Sequence, residues 1–233
     1  MEHEEYRLRQ AIIEQCLWMN AQGLNQGSSG NISARSQDKL IITPTAMAYE
    51  AMRPEMLAAI ALDETAAWQG PYKPSSEWRF HYDLMRARPD IGAIVHTHST
   101  YTTSLAMTRR SIPAVHYMIA LFGGNDVRCA EYATYGTQAL SDHILVAMQD
   151  RKACLLANHG MLVAAETLPK AMWLASELET LAQQYYHALQ LGGAVILTDE
   201  QMAEVHAKLA NYGLSQALTN PESASTKSAT TSK

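Results

Sequence analysis

Between Tyr6 and Gln22 the apolar side chains fall at Leu8, Ile12, Ile13, Cys16, Leu17 and Met19, a spacing of three and four that gathers them on one face of a helix. Gly23 follows where a helix C-terminal cap is expected, so the chain opens with an amphipathic helix that stops at this glycine. The period then changes. Gly27-Ser28-Ser29-Gly30-Asn31 holds no apolar residue and reads as a loop. Ile32 to Arg35 and Leu40 to Thr43, either side of a polar turn at Gln37-Asp38, predict a hairpin. Pro71 and Pro74 break the chain, and Ser75-Ser76 precede a helix predicted over 77–88 and stopped by Pro89.

The apolar run Ile91-Gly92-Ala93-Ile94-Val95 predicts a strand that runs out on His96 and His98. A polar and aromatic segment around His116-Tyr117 and the turn Gly123-Gly124-Asn125 lead to a helix predicted over 137–148. Ala153-Cys154-Leu155-Leu156-Ala157 predicts a second strand ending on a histidine, in Asn158-His159-Gly160, and Met161 to Ala164 resume strand character. Thr167, with Pro169 in the first turn, opens a long helix to about Leu189 whose apolar face includes Leu174, Leu178, Leu181 and Tyr185. Beyond Leu214 the chain is Ser, Thr, Ala, Asn and Lys with little apolar content, so 1–214 is expected to form one domain and 215–233 a disordered tail.

Composition adds exclusions. With 47% apolar and 18% charged residues the chain has the make-up of a folded globular protein. A net charge of −5 without a Lys/Arg block leaves no footprint for nucleic acid or an anionic membrane, and a small-molecule partner is favoured. No apolar run approaches the roughly 20 residues of a membrane span. The start Met1-Glu2-His3-Glu4-Glu5 is acidic where a secretion signal is basic then apolar, so a cytoplasmic protein is expected. Cys16, Cys129 and Cys154 are odd in number and far apart; they suggest no disulfide framework and read as small buried apolar residues.

The histidines carry the chemistry. Alternation along a strand sends His96 and His98 to the same side, where both imidazoles can grip one ion. His159, at another strand end, is a third candidate; three protein ligands plus an exchangeable position make a catalytic zinc site. Glu77, in a first helical turn, either complements the helix dipole or, beside a metal, serves as ligand and proton carrier. Small hydroxyl and glycine residues at 27–31, at Thr43 and Thr45, and at Ser75 and Ser76 are separately ordinary turn and capping residues. Converging on one pocket, their amides and hydroxyls would cradle a phosphate.

The segments Asn25-Gln26-Gly27-Ser28-Ser29-Gly30-Asn31-Ile32-Ser33, Ile42-Thr43-Pro44-Thr45, Pro74-Ser75-Ser76-Glu77-Trp78, Val95-His96-Thr97-His98 and Asn158-His159-Gly160 resemble, in order and spacing, the class II aldolase/adducin family. The resemblance runs from the first helix to about Leu214. It implies a single-domain α/β fold, a central and mainly antiparallel sheet flanked by helices, assembled as a homotetramer with active sites between subunits. It also implies cleavage of a ketose 1-phosphate, of the L-fuculose 1-phosphate type or a 5-deoxy or 5-methylthio pentulose 1-phosphate, to dihydroxyacetone phosphate and an aldehyde.

Carried onto this chain, the family's zinc ligands fall on His96, His98 and His159, with Glu77 as resting-state ligand and catalytic acid/base. Mn²⁺ or Co²⁺ also suits imidazole and carboxylate donors. The phosphate-holding residues fall on Ser28, Asn31, Thr45, Ser75 and Ser76, and a tyrosine reaching in from a neighbouring subunit falls on Tyr117. Tyr135 and Tyr212 are candidates for the aldehyde pocket. Two departures stand out. Ala46 replaces the glycine that follows the phosphate-binding threonine, and alanine accepts positive φ poorly; Tyr135 stands where the family's aldolases carry Phe. Epimerases of the fold, acting on pentulose 5-phosphates, carry Asp where Glu77 stands. Dehydratases and decarboxylases share the fold and stay open as alternatives. Non-enzymatic adducin heads have lost the metal ligands that are all present here.

Overall fold

Alternating side chains sort the strands onto two apolar cores. The computed structural model describes residues 3–217, with side chains described as far as residue 209. Its strands are β1 (Asn31–Ser36), β2 (Lys39–Ile42), β3 (Ala58–Ala61), β4 (Trp68–Gln69), β5 (Ala93–Thr97), β6 (Arg128–Ala130), β7 (Ala153–Leu156) and β8 (Gly160–Ala165). They form one sheet in the order β4-β3-β2-β1-β5-β8-β7-β6. Every pairing is antiparallel except β6 with β7, which are joined through the crossover helix α4 (Gln138–Ala147).

On one face, Ile32, Ala34, Ala93, Val95, Met161 and Val163 pack with α1 (His3–Ala21), α3 (Thr100–Ala106), α5 (Leu168–Gln190) and Met202 of α6 (Asp199–Ala217). On the other, Leu40, Ile42, Ile60, Ile94, Leu156 and Leu162 pack beneath α2 (Trp78–Ala87) and α4. The mainly antiparallel sheet flanked by helices in a single α/β domain is as the resemblance implied. No helix among the described residues is long and apolar enough to cross a membrane.

The elements read from periodicity recur within a few residues of their expected bounds. The strand expected over 91–98 is β5, and its final expected residue, His98, lies past the strand end. Five of these strands and helices have no counterpart in the sequence reading. Strands β3, β4 and β6 are only two to four residues long, too short for alternation to register. Helix α3, with sequence TYTTSLA, is rich in β-branched and hydroxyl residues that do not announce a helix. Its first turn is secured from outside: the Glu179 carboxylate on α5 accepts the backbone N–H groups of Tyr101 and Thr102 at 2.8 and 2.9 Å. Helix α6 was also unforeseen; it reaches Ala217, and residues 218–233, most of the expected tail, lie outside the described residues.

Candidate active site

Register brings the histidines together. β5 and β8 run antiparallel with Thr97 opposite Met161, so the residues leaving β5 meet those entering β8, and His98 comes up against His159. β1 lies on the other side of β5 with Asn31 opposite His96. Glu77 stands at the head of α2, on the face toward which His96 projects, and Phe80 of α2 packs edge-on to the His96 ring at 5.6 Å. Two glycines permit this approach. A Cβ at Gly30 would lie 2.6 Å from the His96 carbonyl oxygen, and one at Gly160 would collide with the Thr97 carbonyl and sit 2.9 Å from His98 Cδ2.

One ligand atom from each of His96, His98 and His159 lies within 4.8 Å of the others. His96 Nε2 is 3.1 Å from His98 Nε2 and 3.2 Å from Glu77 Oε2, while His159 Nε2 is 3.1 Å from Glu77 Oε1. A tetrahedral ion with bonds of about 2.0–2.1 Å keeps its ligand atoms about 3.3 Å apart, so these separations fit a shared cation. The proton inventory agrees. His96 Nδ1 lies 2.8 Å from the Met161 carbonyl and donates to it, which turns the bare Nε2 toward Glu77. Facing lone pairs require a cation between them, or a proton on His96. Glu77 Oε1, although buried, has no hydrogen bond. The donor set and the orphaned oxygen therefore fit a divalent metal.

Charge in the cluster is strongly coupled. Burial opposes ionisation of Glu77, but His96 and His159 outweigh it and hold the carboxyl far below its ordinary range. Burial likewise opposes a charge on His96, yet Glu77 raises its pKa above the usual imidazole value. Burial and then the fields of His96 and His159 push His98 down to about 4, which leaves it neutral and able to ligate.

A cavity of about 650 Å³ opens onto Glu77, His98 and His159. Its lining includes the hydroxyl residues Ser28, Ser29, Thr45 and Ser76, the aromatic residues Tyr132 and Tyr135, and Asn158. Ser28, Thr45 and Ser76 therefore meet at one cavity. Asn31 and Ser75 do not: both are buried, and neither lines the cavity. The Asn31 Nδ2 donates to Glu77 Oε2 at 2.9 Å, and the Ser75 hydroxyl accepts the Glu77 backbone N–H at 3.3 Å, so these two hold the glutamate. Ala46 takes φ +51°, so this alanine adopts the left-handed conformation for which glycine is favoured.

Tyr135 lines the cavity and is 65% exposed. Tyr117 opens a short 3-10 helix, is 54% exposed, and is absent from this chain's cavity wall. The Tyr212 side chain lies outside the described residues. Several contributors were missed in the sequence. Asn25, buried behind the glycine loop, accepts from the Ser29 hydroxyl at 3.1 Å and from the His98 backbone N–H at 3.4 Å, tying the loop to the metal-type cluster. His81 bonds Asn31 and Ser33 beneath Glu77. Spacing could have found that pair: His81 is four residues past Glu77 on one helix face, and Ser33 is two past Asn31 on one strand face.

Known proteins share this arrangement of chain and fold. The Class II Aldolase and Adducin N-terminal domain profile matches residues 10–186. The 5-methylthioribulose-1-phosphate/5-deoxyribulose-1-phosphate aldolase of Rhodospirillum rubrum is 47% identical over 214 residues, covering 92% of this chain and 96% of that protein. The L-fuculose phosphate aldolase of Escherichia coli K12 is 45% identical over 212 residues, 91% of this chain and 98% of that one. A solved L-fuculose 1-phosphate aldolase structure superposes with a TM-score of 0.83 at 37% identity, covering 87% of this chain and 95% of its own. The chain belongs to the class II aldolase and adducin family.

Proposed function

We propose that His96, His98, His159 and Glu77 of this class II ketose-1-phosphate aldolase hold a divalent ion, zinc by donor type, and that the cavity beside them takes the substrate phosphate. The observation that carries the reading is the convergence of three imidazoles on an ionised, buried carboxylate at the wall of a hydroxyl-lined cavity. When bound, the ion supplies Lewis acidity that polarises the ketose carbonyl and eases cleavage of the C3–C4 bond.

The chain's own groups do the rest. Ser28, Thr45 and Ser76 orient the phosphate of the dihydroxyacetone phosphate half. Glu77, which lines the open cavity and takes up a proton there, delivers it to C3 of that half after the bond has broken. Tyr117, presented by a second copy of the chain, exchanges a proton with the aldehyde oxygen. Tyr135, joined by Tyr132, forms an aromatic wall for the aldehyde half. An exposed Tyr117 and the exposed apolar residues Leu191 and Val195 support assembly into a homotetramer, which light scattering on eluting protein would measure. Three free cysteines support a cytoplasmic setting.

The test is condensation of dihydroxyacetone phosphate with L-lactaldehyde, acetaldehyde, methylthioacetaldehyde and glycolaldehyde, compared by kcat/KM in zinc-loaded protein. Products from at least one aldehyde are expected, and the ratio of values selects the natural aldehyde. No condensation with any of the four would overturn the reading.

A further inference from the structure

His81 takes no part in the cavity, yet it is wholly buried four residues past Glu77 on α2. Its two ring nitrogens are both engaged: Nδ1 lies 2.7 Å from the Ser33 hydroxyl and Nε2 lies 2.5 Å from Asn31 Oδ1. Asn31 in turn donates from Nδ2 to Glu77 Oε2. An ion-pairing site needs none of these groups, and a core position would hold them at a cost unless every one found a partner.

The directions of the hydrogen bonds follow from the carboxylate end. Glu77 is acceptor-only, so the Asn31 NH₂ must face it, and Oδ1 must face His81. Oδ1 accepts, hence His81 carries its proton on Nε2. Its bare Nδ1 then accepts from the Ser33 hydroxyl. Each donor points toward Glu77: Ser33 to His81, His81 to Asn31, Asn31 to Glu77. Burial, and then the charge of His96, push the His81 pKa down to about 3, which agrees with the neutral tautomer. Oε2 of Glu77 is thereby fastened to the protein, while Oε1 is left without a hydrogen bond facing His159.

We propose that His81 is a positioning residue for Glu77: as a neutral Nε2–H imidazole steadied by Ser33, it fixes which way the Asn31 amide points and so which carboxylate oxygen of Glu77 is free. The inference rests on the aldolase reading for its kinetic consequence only. Without the ring, the Asn31 amide can turn over and present a carbonyl oxygen to the carboxylate, which repels it. Glu77 then loses its tether. Substitution of groups that orient ligands in this way typically costs about 10–100-fold in activity or metal affinity.

The experiment uses the full chain and the variants His81→Phe and His81→Gln. Phe keeps the ring volume beside Phe80, whose own ring stacks on His81 at 4.7 Å. Gln restores an N–H that reaches Asn31. In zinc-loaded H81F, kcat is expected to fall about 10–100-fold with KM for the ketose 1-phosphate within about twofold, and zinc affinity against a competing chelator to weaken by a similar factor. H81Q is expected to recover most of both. In ¹⁵N-histidine spectra of the metal-free wild type, His81 is expected to show protonated Nε2 and bare Nδ1 from pH 5 to 9.

An unchanged kcat in folded H81F, a loss expressed mainly in KM, H81Q as impaired as H81F, or a His81 proton on Nδ1 would each overturn the proposal. If H81F does not fold, H81Q and the wild-type spectrum decide it. A wild type inactive on every aldehyde overturns the aldolase reading instead, and the tautomer and zinc-affinity measurements still judge the relay.

Discussion

Asn31 and Glu77, 46 residues apart in the chain, are joined by a buried 2.9 Å hydrogen bond from the amide Nδ2 to the carboxylate Oε2. The bond leaves the other carboxylate oxygen, Oε1, beside His159 with no hydrogen bond of its own. One carboxylate thus has an anchored oxygen and a free one. The role proposed for Glu77, binding a cation and carrying a proton, uses that division of labour.

Glu77→Gln preserves the shape of the side chain and its reach to the histidines but removes the ionisable oxygen. Turnover is expected to fall about 10²–10⁴-fold, the usual worth of a positioned acid/base. Three histidines remain to hold the metal, so zinc-saturated protein should still carry the ion, at lowered affinity, and bind substrate near wild-type strength; kcat, KM and bound zinc measured at saturating zinc check the role. Full activity in this variant would remove Glu77 from the chemistry.

Metal removal is expected to abolish turnover, and one equivalent of Zn²⁺ per chain to restore it, with Mn²⁺ and Co²⁺ as further candidates. An ion that binds the folded chain also stabilises it by mass action, so the melting temperature should fall on chelation and recover with the metal. Elemental analysis with calorimetry on the same samples measures both. Activity that survives complete chelation contradicts a metal centre at these residues.

Gly160→Ala introduces a Cβ where the Thr97 carbonyl and the His98 ring already stand. Backbone cannot move aside as a flexible side chain can, so destabilisation of about 1–3 kcal/mol is expected from overpacking. His98 is displaced in the same movement. Weakened zinc binding together with a lowered urea midpoint is the signature; a wild-type midpoint would show that the strand ends are looser than their geometry indicates.

Ala46→Gly relieves a left-handed alanine, for which the strain is about 1–2 kcal/mol. Glycine returns about 0.5–1 kcal/mol of that through the greater freedom of the unfolded chain. A net stabilisation of up to about 1 kcal/mol is expected, read as a higher denaturation midpoint at unchanged slope. A lower midpoint would mean that the Ala46 methyl contributes packing that outweighs its strain.

Acid stability should follow His81. Its folded pKa is lowered to about 3, first by burial and then by His96, with Glu77 opposing; the unfolded value is near 6.5. Between those values the unfolded chain binds the proton and the folded chain does not, so stability falls as pH drops from about 6.5 toward 3. Replacing His81 by Gln removes this proton from the balance. The variant's stability should decline less steeply over that window, as measured by denaturant titrations at several pH values. Parallel curves would mean that His81 is protonated in the folded protein.

The periodic elements were legible because periodicity is a local consequence of burying one face. Helix α1, the β1–β2 hairpin, α2, β5, β7, β8 and α5 all carry it. The candidate cluster was legible too, in residues that only make sense together: His96 and His98 at a strand end, His159 before a glycine, Glu77 after two serines. Helix α3 was not legible, because its stability comes from Glu179, 78 residues beyond Tyr101 in the chain.

The chain by itself thus supplied the metal-type donors and the hydroxyl-bearing loops, which depend on residue type and spacing, and the fold class through its resemblance to a known family. Only the tertiary structure decided which polar residues face the cavity and which stand behind it. Asn31 and Ser75 sit in segments that look like phosphate loops, yet β1 pairing and the head of α2 turn both onto Glu77. The reason is physical. A buried carboxylate must have its lone pairs satisfied before any neighbouring group is free for a ligand, and which neighbours meet that need depends on strand register and helix placement.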